Sequence, residues 1–382
     1  RWLSDTPRND FYFKIPLPDG IDEINSSSVI SNARILGLDN FLQKTVNFDG
    51  SLLTSDLLPS LLSRLKVPDE NSFIKKKENN YFISTGSYLV SRDITIPTNC
   101  SLTIEKGTTL RFSRNTVLYL QGALFVEGTK ESPVIFTAED DSWGGVLVTN
   151  SNDRSKINFL TCSNANGIGP IIQEKGIDRN GWMLTGAVTF NRSNVDIFNS
   201  RFLDINSEDA LNIVSSDFTI QGCFFSKLAS DAFDGDFVNG NIQDCIFSEI
   251  KGDGVDFSGS NAEVSASKFL NIIDKAISVG EGSHVKVSSC KIENVSFGVV
   301  SKDLSVTEVF DNSEITNAST AAFAAFQKKN SFGPATINIK NSRISESSKI
   351  SLIQEGSSGF LDSKRIPSNS FSSSDLYKPK SE

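Results

Sequence analysis

A repeat of 22 residues runs through the second half of the chain and restricts the fold more than any other feature. Five short phrases mark it: SEDALNI, SDAFDGDF, GDGVDFSGS, DKAISVGEGS and SFGVVSKDLS. Their equivalent positions, each 22 residues after the last, are Asp209, Asp231, Asp253, Lys275 and Phe297. A fixed period of this length is typical of solenoids, in which each repeat packs against its two neighbours.

A second recurring phrase precedes each of these and places large apolar residues in register. Apolar and polar residues alternate within each copy, as in Phe218, Ile220 and Phe225, which predicts strands and leaves no room for a helix. Three short strands per repeat predict an all-β fold, one coil of a parallel β-helix per repeat. The inward residues should then stack as ladders, with this apolar column: Phe202, Phe225, Phe247, Phe269, Ile292, Ile315 and Ile344.

The same alternation continues upstream in looser form, from about Tyr81. We therefore predict three segments: a cap or linker over 1–80, a β-helix over 81–350 and a Ser-rich tail over 351–382. About eleven coils at ~4.8 Å each would make a rod about 50 Å long.

The N-terminal segment differs in pattern from the repeat. Leu pairs in SLLTSDLLPSLLSRLKV recur at near-helical spacing, interrupted by Pro59. This pattern predicts a small helical cap over the open end of the rod, or a linker to a neighbouring domain. Because the chain begins at Arg1 without a signal-like stretch, we expect it to have been processed or cut from a larger protein that supplied a further N-terminal domain.

Composition excludes several classes of function. The net charge of -9 argues against nucleic acid as a partner, because phosphate binding needs a basic surface. His284 is the one histidine, so a His-rich metal site is excluded. The five cysteines show no CxxC spacing, and Cys223 and Cys245 fit inward ladder positions, although a bridge between coils is geometrically possible. No apolar run approaches the roughly 18 residues of a membrane span, and no motif indicates an organic cofactor.

One long insertion, between Cys162 and Gly186, interrupts the series of short repeats. Gly186 stands 23 residues before Asp209, so the insertion should emerge beside the aspartate column. Because solenoid insertions gather on the binding face, we predict that Arg179 and Trp182 contact a ligand there.

The aspartate column is the main candidate site. Two carboxylates ~4.8 Å apart repel by about 3.5 kcal/mol at an effective dielectric near 20, so such a column must be solvated, protonated, paired or bridged by a metal. Lys275 occupies the next rung. On these coils, the predicted substrate-binding residues are Asn212, Asp236 and Lys302. The predicted metal ligands are Asp231, Asp234, Asp253 and Asp256.

Three functions are compatible with this column. Calcium takes six to eight oxygen ligands, which the four predicted ligands could supply in part. A polysaccharide lyase would use the ion to neutralise a uronate and Lys275 as base. A glycoside hydrolase would use two carboxylates of Asp209, Asp231 and Asp253, since neighbouring rungs are near the roughly 5 Å separation of retaining enzymes. Alternatively, each aspartate only closes a turn by accepting backbone N–H bonds.

The run GDGVDFSGS, DKAISVGEGS and SKDLS, with WGGV upstream and FQKKNSFGPA downstream, resembles bacterial right-handed parallel β-helix proteins of the pectate-lyase-like superfamily. More narrowly, it resembles β-helix regions associated with spore-coat-protein-H-like kinase domains. The resemblance covers about Tyr81 to Arg343 and implies a right-handed coil and an extracellular or cell-envelope location.

A looser likeness points to polygalacturonase-type hydrolases. Asp253 and Asp256 match their acidic motif, but Lys275 stands where their histidine would be, and the mannuronan epimerase signature has no match. We therefore expect an exported or cell-surface module that binds polysaccharide through a calcium-compatible acidic face without catalysis. The alternative is a calcium-dependent lyase or hydrolase acting on uronate-containing polysaccharide.

Overall fold

The structure is a computed structural model that describes residues 30–34, 41–45, 68, 72–168 and 184–377. Strands β1 (Ile30–Arg34) and β2 (Phe41–Thr45) form an antiparallel pair within the N-terminal unit. The predicted helical segment after them lies outside the described residues. Within the described part of the chain, no helix has the length and hydropathy needed to cross a membrane.

The rest is a parallel β-solenoid of about twelve coils, with about 23 residues in each. Every coil contributes strands to three columns. The first column is a 14-stranded sheet, parallel except for the terminal pairs β3–β4 and β34–β35. Its strands are β3 (Ile74–Lys77), β4 (Asn80–Ile83), β7 (Ser101–Glu105), β10 (Leu124–Glu127), β13 (Ser155–Asn158), β16 (Val195–Phe198), β19 (Asp217–Gln221), β22 (Asn239–Gln243), β25 (Asn261–Ser265), β27 (His284–Ser288), β29 (Val306–Phe310), β31 (Thr336–Ile339), β34 (Ser358–Leu361) and β35 (Lys364–Arg365).

The second and third columns join in one 19-stranded sheet, because three long strands run through both. The long strands are β26 (Lys268–Gly280), β28 (Lys291–Lys302) and β30 (Glu314–Phe326). The second column also contains β5 (Ser87–Val90), β8 (Thr109–Phe112), β11 (Val134–Ala138), β14 (Leu160–Ser163), β17 (Arg201–Leu203), β20 (Phe224–Leu228), β23 (Ile246–Ile250) and β32 (Arg343–Ser345). The third also contains β6 (Ile94–Ile96), β9 (Val117–Leu120), β12 (Gly145–Thr149), β15 (Gly186–Asn191), β18 (Asp209–Val214), β21 (Asp231–Asp236), β24 (Val255–Ser258) and β33 (Ser351–Ile353).

The predicted apolar ladder is the centre of the core. Successive rings of Phe202, Phe225, Phe247 and Phe269 stack nearly parallel, with centroids 4.8, 4.8 and 4.7 Å apart. The column then continues in register through Ile292, Ile315 and Ile344. Cys223 and Cys245 are buried free thiols, with the Cys223 N–H donating to Cys245 Sγ at 3.4 Å.

The corner between the second and third columns, called here the second corner, is made by single residues with positive φ. They have φ between 51° and 58° and are Asp204, Lys227, Glu249, Asn271, Asn294 and Asn317. The last three form an amide ladder, in which Asn294 donates to Asn271 at 3.1 Å and Asn317 to Asn294 at 2.7 Å. Asparagine suits this role because it tolerates left-handed backbone better than most residues.

The strands extend beyond the segment in which the sequence repeat is visible. Parallel pairing continues through β33 and β34 into the Ser-rich C-terminal segment. A 3-10 helix (Ser373–Tyr377) follows, and Phe371 and Leu376 pack against the outside of the third column.

Candidate functional site

The outward face of the third column carries the aspartates. In β21 both Ala232 and Phe233 lie in the main core, so two successive residues point inward. The alternation of inward and outward side chains therefore shifts by one residue within this strand. As a result, Asp231, Asp234 and Asp236 all face outward from one coil. The same arrangement on neighbouring coils produces three outward ladders.

The ladders follow the register of the sheet. The first ladder is Asp209, Asp231, Asp253, Lys275, Phe297 and Ala321. The second is Thr189, Asn212, Asp234, Asp256, Ser278, Val300 and Ala324. The third is Asn191, Val214, Asp236, Ser258, Gly280, Lys302 and Phe326. The six aspartates in them, Asp209, Asp231, Asp234, Asp236, Asp253 and Asp256, are called the acidic patch.

Backbone amides of successive coils hold the first ladder in place. The Asp253 N–H donates to Asp231 Oδ1 at 2.7 Å, and the Lys275 N–H donates to Asp253 Oδ1 at 2.9 Å. This is the bonding that the turn interpretation predicted. It uses one oxygen of each carboxylate, and the other oxygen of Asp253 accepts a hydrogen bond from Lys275 Nζ at 3.4 Å.

Three carboxylates converge closely enough to share a cation. Asp231, Asp253 and Asp256 each place one oxygen within 4.8 Å of the other two. In the described residues, the buried Oδ1 atom of Asp256 accepts no hydrogen bond. Asp234, the fourth predicted metal ligand, accepts a bond from Asn212 Nδ2 at 2.9 Å and lies outside this trio.

Two lysines enter the patch from its C-terminal side, both almost fully buried. Lys275 Nζ lies 3.1 Å from Asp253 Oδ1 and 2.6 Å from Asp274 Oδ2. Lys302 Nζ lies 3.6 Å from Asp256 Oδ1. They neutralise Asp253 and Asp256, while the N-terminal part of the patch is richer in carboxylates than in nearby cations.

Burial is the main influence on the carboxyl pKa values, and it raises the pKa of Asp253 to about 6 even beside Lys275. Burial, with the Asp231 charge adding to it, raises the pKa of Asp209 well above its ordinary value. Burial and the Asp253 carboxylate raise the pKa of Asp231 to about 8. Burial alone would raise the pKa of Asp256 too, but the ammonium groups of Lys302 and Lys275 bring it below its ordinary value.

Apolar clusters border the patch at both ends along the solenoid axis. On the N-terminal side Ile168 and Leu184, the bridged stems of the insertion, pack with Val117 and Tyr119. On the C-terminal side the outward ladders become apolar, and Phe371 and Leu376 pack against them there. That cluster is Phe297, Val300, Ala321, Ala324, Phe326 and Leu352.

A polar corner closes the side of the third ladder. Glu281 accepts a hydrogen bond from Ser258 at 2.7 Å and pairs with Lys329. Asp303 Oδ1 accepts the backbone N–H groups of Lys328 and Lys329 at 2.6 and 2.7 Å. These residues were not predicted, because the loop that brings Lys328 and Lys329 to this corner lies outside the repeat.

The structure places most of the predicted site residues on one face. Asp209, Asn212 and Asp236 stand beside the convergent trio, with Lys275 and Lys302 as its buried counter-charges. The predicted register of Gly186 with Asp209 is confirmed. Arg179 and Trp182 lie outside the described residues.

A family model described as a right-handed β-helix region matches residues 144–333 and 215–371, more than half of the chain. The chain belongs to the right-handed β-helix family. The predicted hand and class of the solenoid are thereby confirmed. These matches do not test the predicted association with spore-coat-protein-H-like kinase domains, which stays a prediction.

Several solved structures are similar to this chain at very low sequence identity. A double mutant of the periplasmic alginate epimerase AlgG is 12% identical, with a TM-score of 0.45 over 80% of this chain and 81% of its own. An alginate lyase from Paenibacillus sp. is 8% identical, with a TM-score of 0.39 over 69% and 98%. A lacto-N-biosidase from Eubacterium ramulus is 10% identical, with a TM-score of 0.36 over 70% and 62%. Similarities this weak carry no information on activity. No curated protein matches the sequence significantly.

Proposed function

We propose that this β-helix is a non-catalytic module that binds acidic polysaccharide through a calcium ion held by the acidic patch. The observation that carries the proposal is the convergence of Asp231, Asp253 and Asp256 to within 4.8 Å of one another. Calcium–oxygen distances of about 2.3–2.6 Å place two ligands of one ion up to about 5 Å apart, so the trio fits a hard cation.

The excess of carboxylates supports cation binding at this place. Six aspartates share a surface that two buried lysines neutralise only at its C-terminal side. Without a cation, Asp231 must either stay protonated or repel its neighbours, as its raised pKa indicates. A bound divalent ion removes that cost and leaves coordination positions for oxygens of a ligand.

A uronate-containing polysaccharide is the ligand class that suits a calcium-loaded patch. Its carboxylates coordinate calcium, and its hydroxyl groups donate hydrogen bonds to the remaining aspartate oxygens. Polysaccharides of this kind and millimolar calcium coincide outside the cell, which supports an extracellular or cell-envelope location.

The state of Lys275 favours binding over lyase chemistry. A lyase base must be a neutral amine when it takes the proton, but Lys275 Nζ is buried between the carboxylates of Asp253 and Asp274. Both carboxylates pair with this Nζ atom, at 3.1 and 2.6 Å. Lys275 therefore acts as a structural counter-charge.

Retaining glycoside hydrolysis is the second candidate, favoured by one observation. The carboxylate oxygens of Asp231 and Asp256 lie within 4.8 Å of each other, near the roughly 5 Å separation of a retaining acid and nucleophile. In that case Asp231 would donate the proton and Asp256 would attack.

One experiment separates these functions. The protein is incubated with polygalacturonate, alginate and a neutral glucan, with calcium or with chelator, and both retention and products are measured. We expect calcium-dependent retention of the uronate chains without products. Unsaturated fragments would identify a lyase, and shortened saturated fragments the hydrolase. Equal retention in chelator would contradict the calcium-bridged binding proposed here.

A further inference from the structure

A groove of about 370 Å³ lies at the second corner, directly beside the acidic patch. Its lining includes Lys227, Ala229, Glu249, Lys251 and Ile273. The exposed residues Ala229, Lys251 and Ile273 stand two residues before Asp231, Asp253 and Lys275 on their respective coils. Two residues span at most about 7 Å of chain, so a single polysaccharide chain can contact groove and patch together.

Among the described residues, other side chains flank the acidic patch in the remaining directions that a bound polysaccharide could take. Along the solenoid axis, the stems Ile168 and Leu184 cover the outward face on one side. Phe371 and Leu376 pack over it on the other side. At the third ladder, Ser258 donates a hydrogen bond to Glu281, which pairs with Lys329.

The residues at the second corner differ chemically between the coils that line the groove and the coils that follow. At the second corner, Asn271, Asn294 and Asn317 form the amide ladder, whereas Lys227 and Glu249 occupy the equivalent positions on the two preceding coils. Both side chains line the groove, together with the small Ala229. The groove therefore combines two ammonium groups and one carboxylate with the exposed apolar surface of Ile273, which is 67% exposed.

We infer that the polysaccharide runs from this groove to the acidic patch in the direction of the strands, instead of along the solenoid axis. The inference rests on the proposed function and adds the ligand's path and a second subsite. In the groove, Lys251 and Lys227 bind a uronate carboxylate by charge-assisted hydrogen bonds. The apolar surface of Ile273 packs against the C–H groups of the same sugar, and the next sugar reaches the acidic patch.

The test measures the affinity of polygalacturonate oligosaccharides in calcium by calorimetry. Ala229→Trp fills the groove, and Lys251→Gln removes one ammonium group without changing the fold of an exposed corner. We expect each variant to weaken binding about tenfold, the value of one charge-assisted hydrogen bond or of a blocked subsite. Lys286→Gln, an exposed lysine on the first column, is the matched control and should bind as the wild type does.

The outcomes separate this inference from the proposed function. If the wild type binds, Asp231→Asn abolishes binding, and Ala229→Trp and Lys251→Gln bind as tightly as the wild type, the groove path is wrong and calcium-dependent binding stands. If the wild type binds no uronate chain, both are wrong. Thermal melting of each variant shows whether it is folded.

Discussion

Lys302 Nζ lies 3.6 Å from Oδ1 of Asp256, although the two residues belong to coils separated by one intervening coil. Gly280 in that coil lies under the lysine side chain, and a Cβ atom there would be in tight contact with Lys302 Cε, at 3.3 Å. The lysine side chain is 5% exposed and the aspartate side chain 24%. Lys302 therefore crosses the intervening coil as a buried counter-charge for the acidic patch.

Removing this counter-charge should destabilise the protein. Lys302→Met leaves Asp256 buried beside other carboxylates, and breaking a buried ion pair typically costs about 3–5 kcal/mol. We expect a loss of this size in the free energy of unfolding, measured by urea denaturation in chelator. Adding Asp256→Asn should restore most of it. An unchanged midpoint of urea denaturation for Lys302→Met would show that the Lys302–Asp256 ion pair contributes nothing to stability.

Calcium-free protein should lose stability as the pH rises. The pKa of Asp231 in the folded chain is about 8 and that of Asp236 about 6, both raised first by burial. A carboxyl group with a higher pKa in the folded than in the unfolded chain stabilises the fold at low pH, and this contribution is lost as the pH rises through the folded pKa. We expect the melting temperature in chelator to fall between about pH 5 and pH 9, within the window that those pKa values define.

The same titration has a matched control. Asp231→Asn removes a carboxyl group whose pKa is raised to about 8, so the melting temperature of this variant should fall less over this range. Asp244→Asn, at an exposed corner with φ 52°, should behave as the wild type does. A wild-type melting temperature that rises with pH would contradict the assigned pKa directions.

The phenylalanine ladder should dominate the stability of the solenoid. Phe247 is fully buried and stacks against Phe225 and Phe269. Phe247→Ala should reduce the free energy of unfolding by about 3–5 kcal/mol, as expected for a large cavity in a close-packed core. Phe224→Ala, whose half-buried ring lies against Arg201, should cost clearly less. Equal losses would show that the ladder has no special role.

Much of this architecture can be predicted from the sequence, because every coil of a solenoid repeats the same short pattern of apolar and polar residues. The repeat predicts the register of Phe202 with Phe225, 23 residues apart, and of Asp209 with Asp231, 22 residues apart, and both are confirmed. The last coils are not predicted from the sequence, because β33 and β34 lie in a Ser-rich segment in which the apolar repeat is no longer visible.

The details of the site are less predictable, since they depend on contacts between distant segments. The spacing places Asp234 and Asp256 in one ladder, but it does not show that two successive inward residues bring Asp231 to the same face. The burial of Lys275 and Lys302 depends on side-chain paths across coils. The cover provided by Phe371 comes from a segment with no repeat at all.

The most direct test of the account is a calorimetric titration of the chelator-treated protein with calcium. We expect binding to the wild type, with a Kd on the order of 10⁻⁴–10⁻³ M, the range typical of calcium sites in extracellular modules. Asp231→Asn should weaken it at least about tenfold, whereas the exposed Asp244→Asn should leave it unchanged. Absence of a binding isotherm for the wild type, or equal affinity in Asp231→Asn, would contradict the central claim that the acidic patch holds calcium.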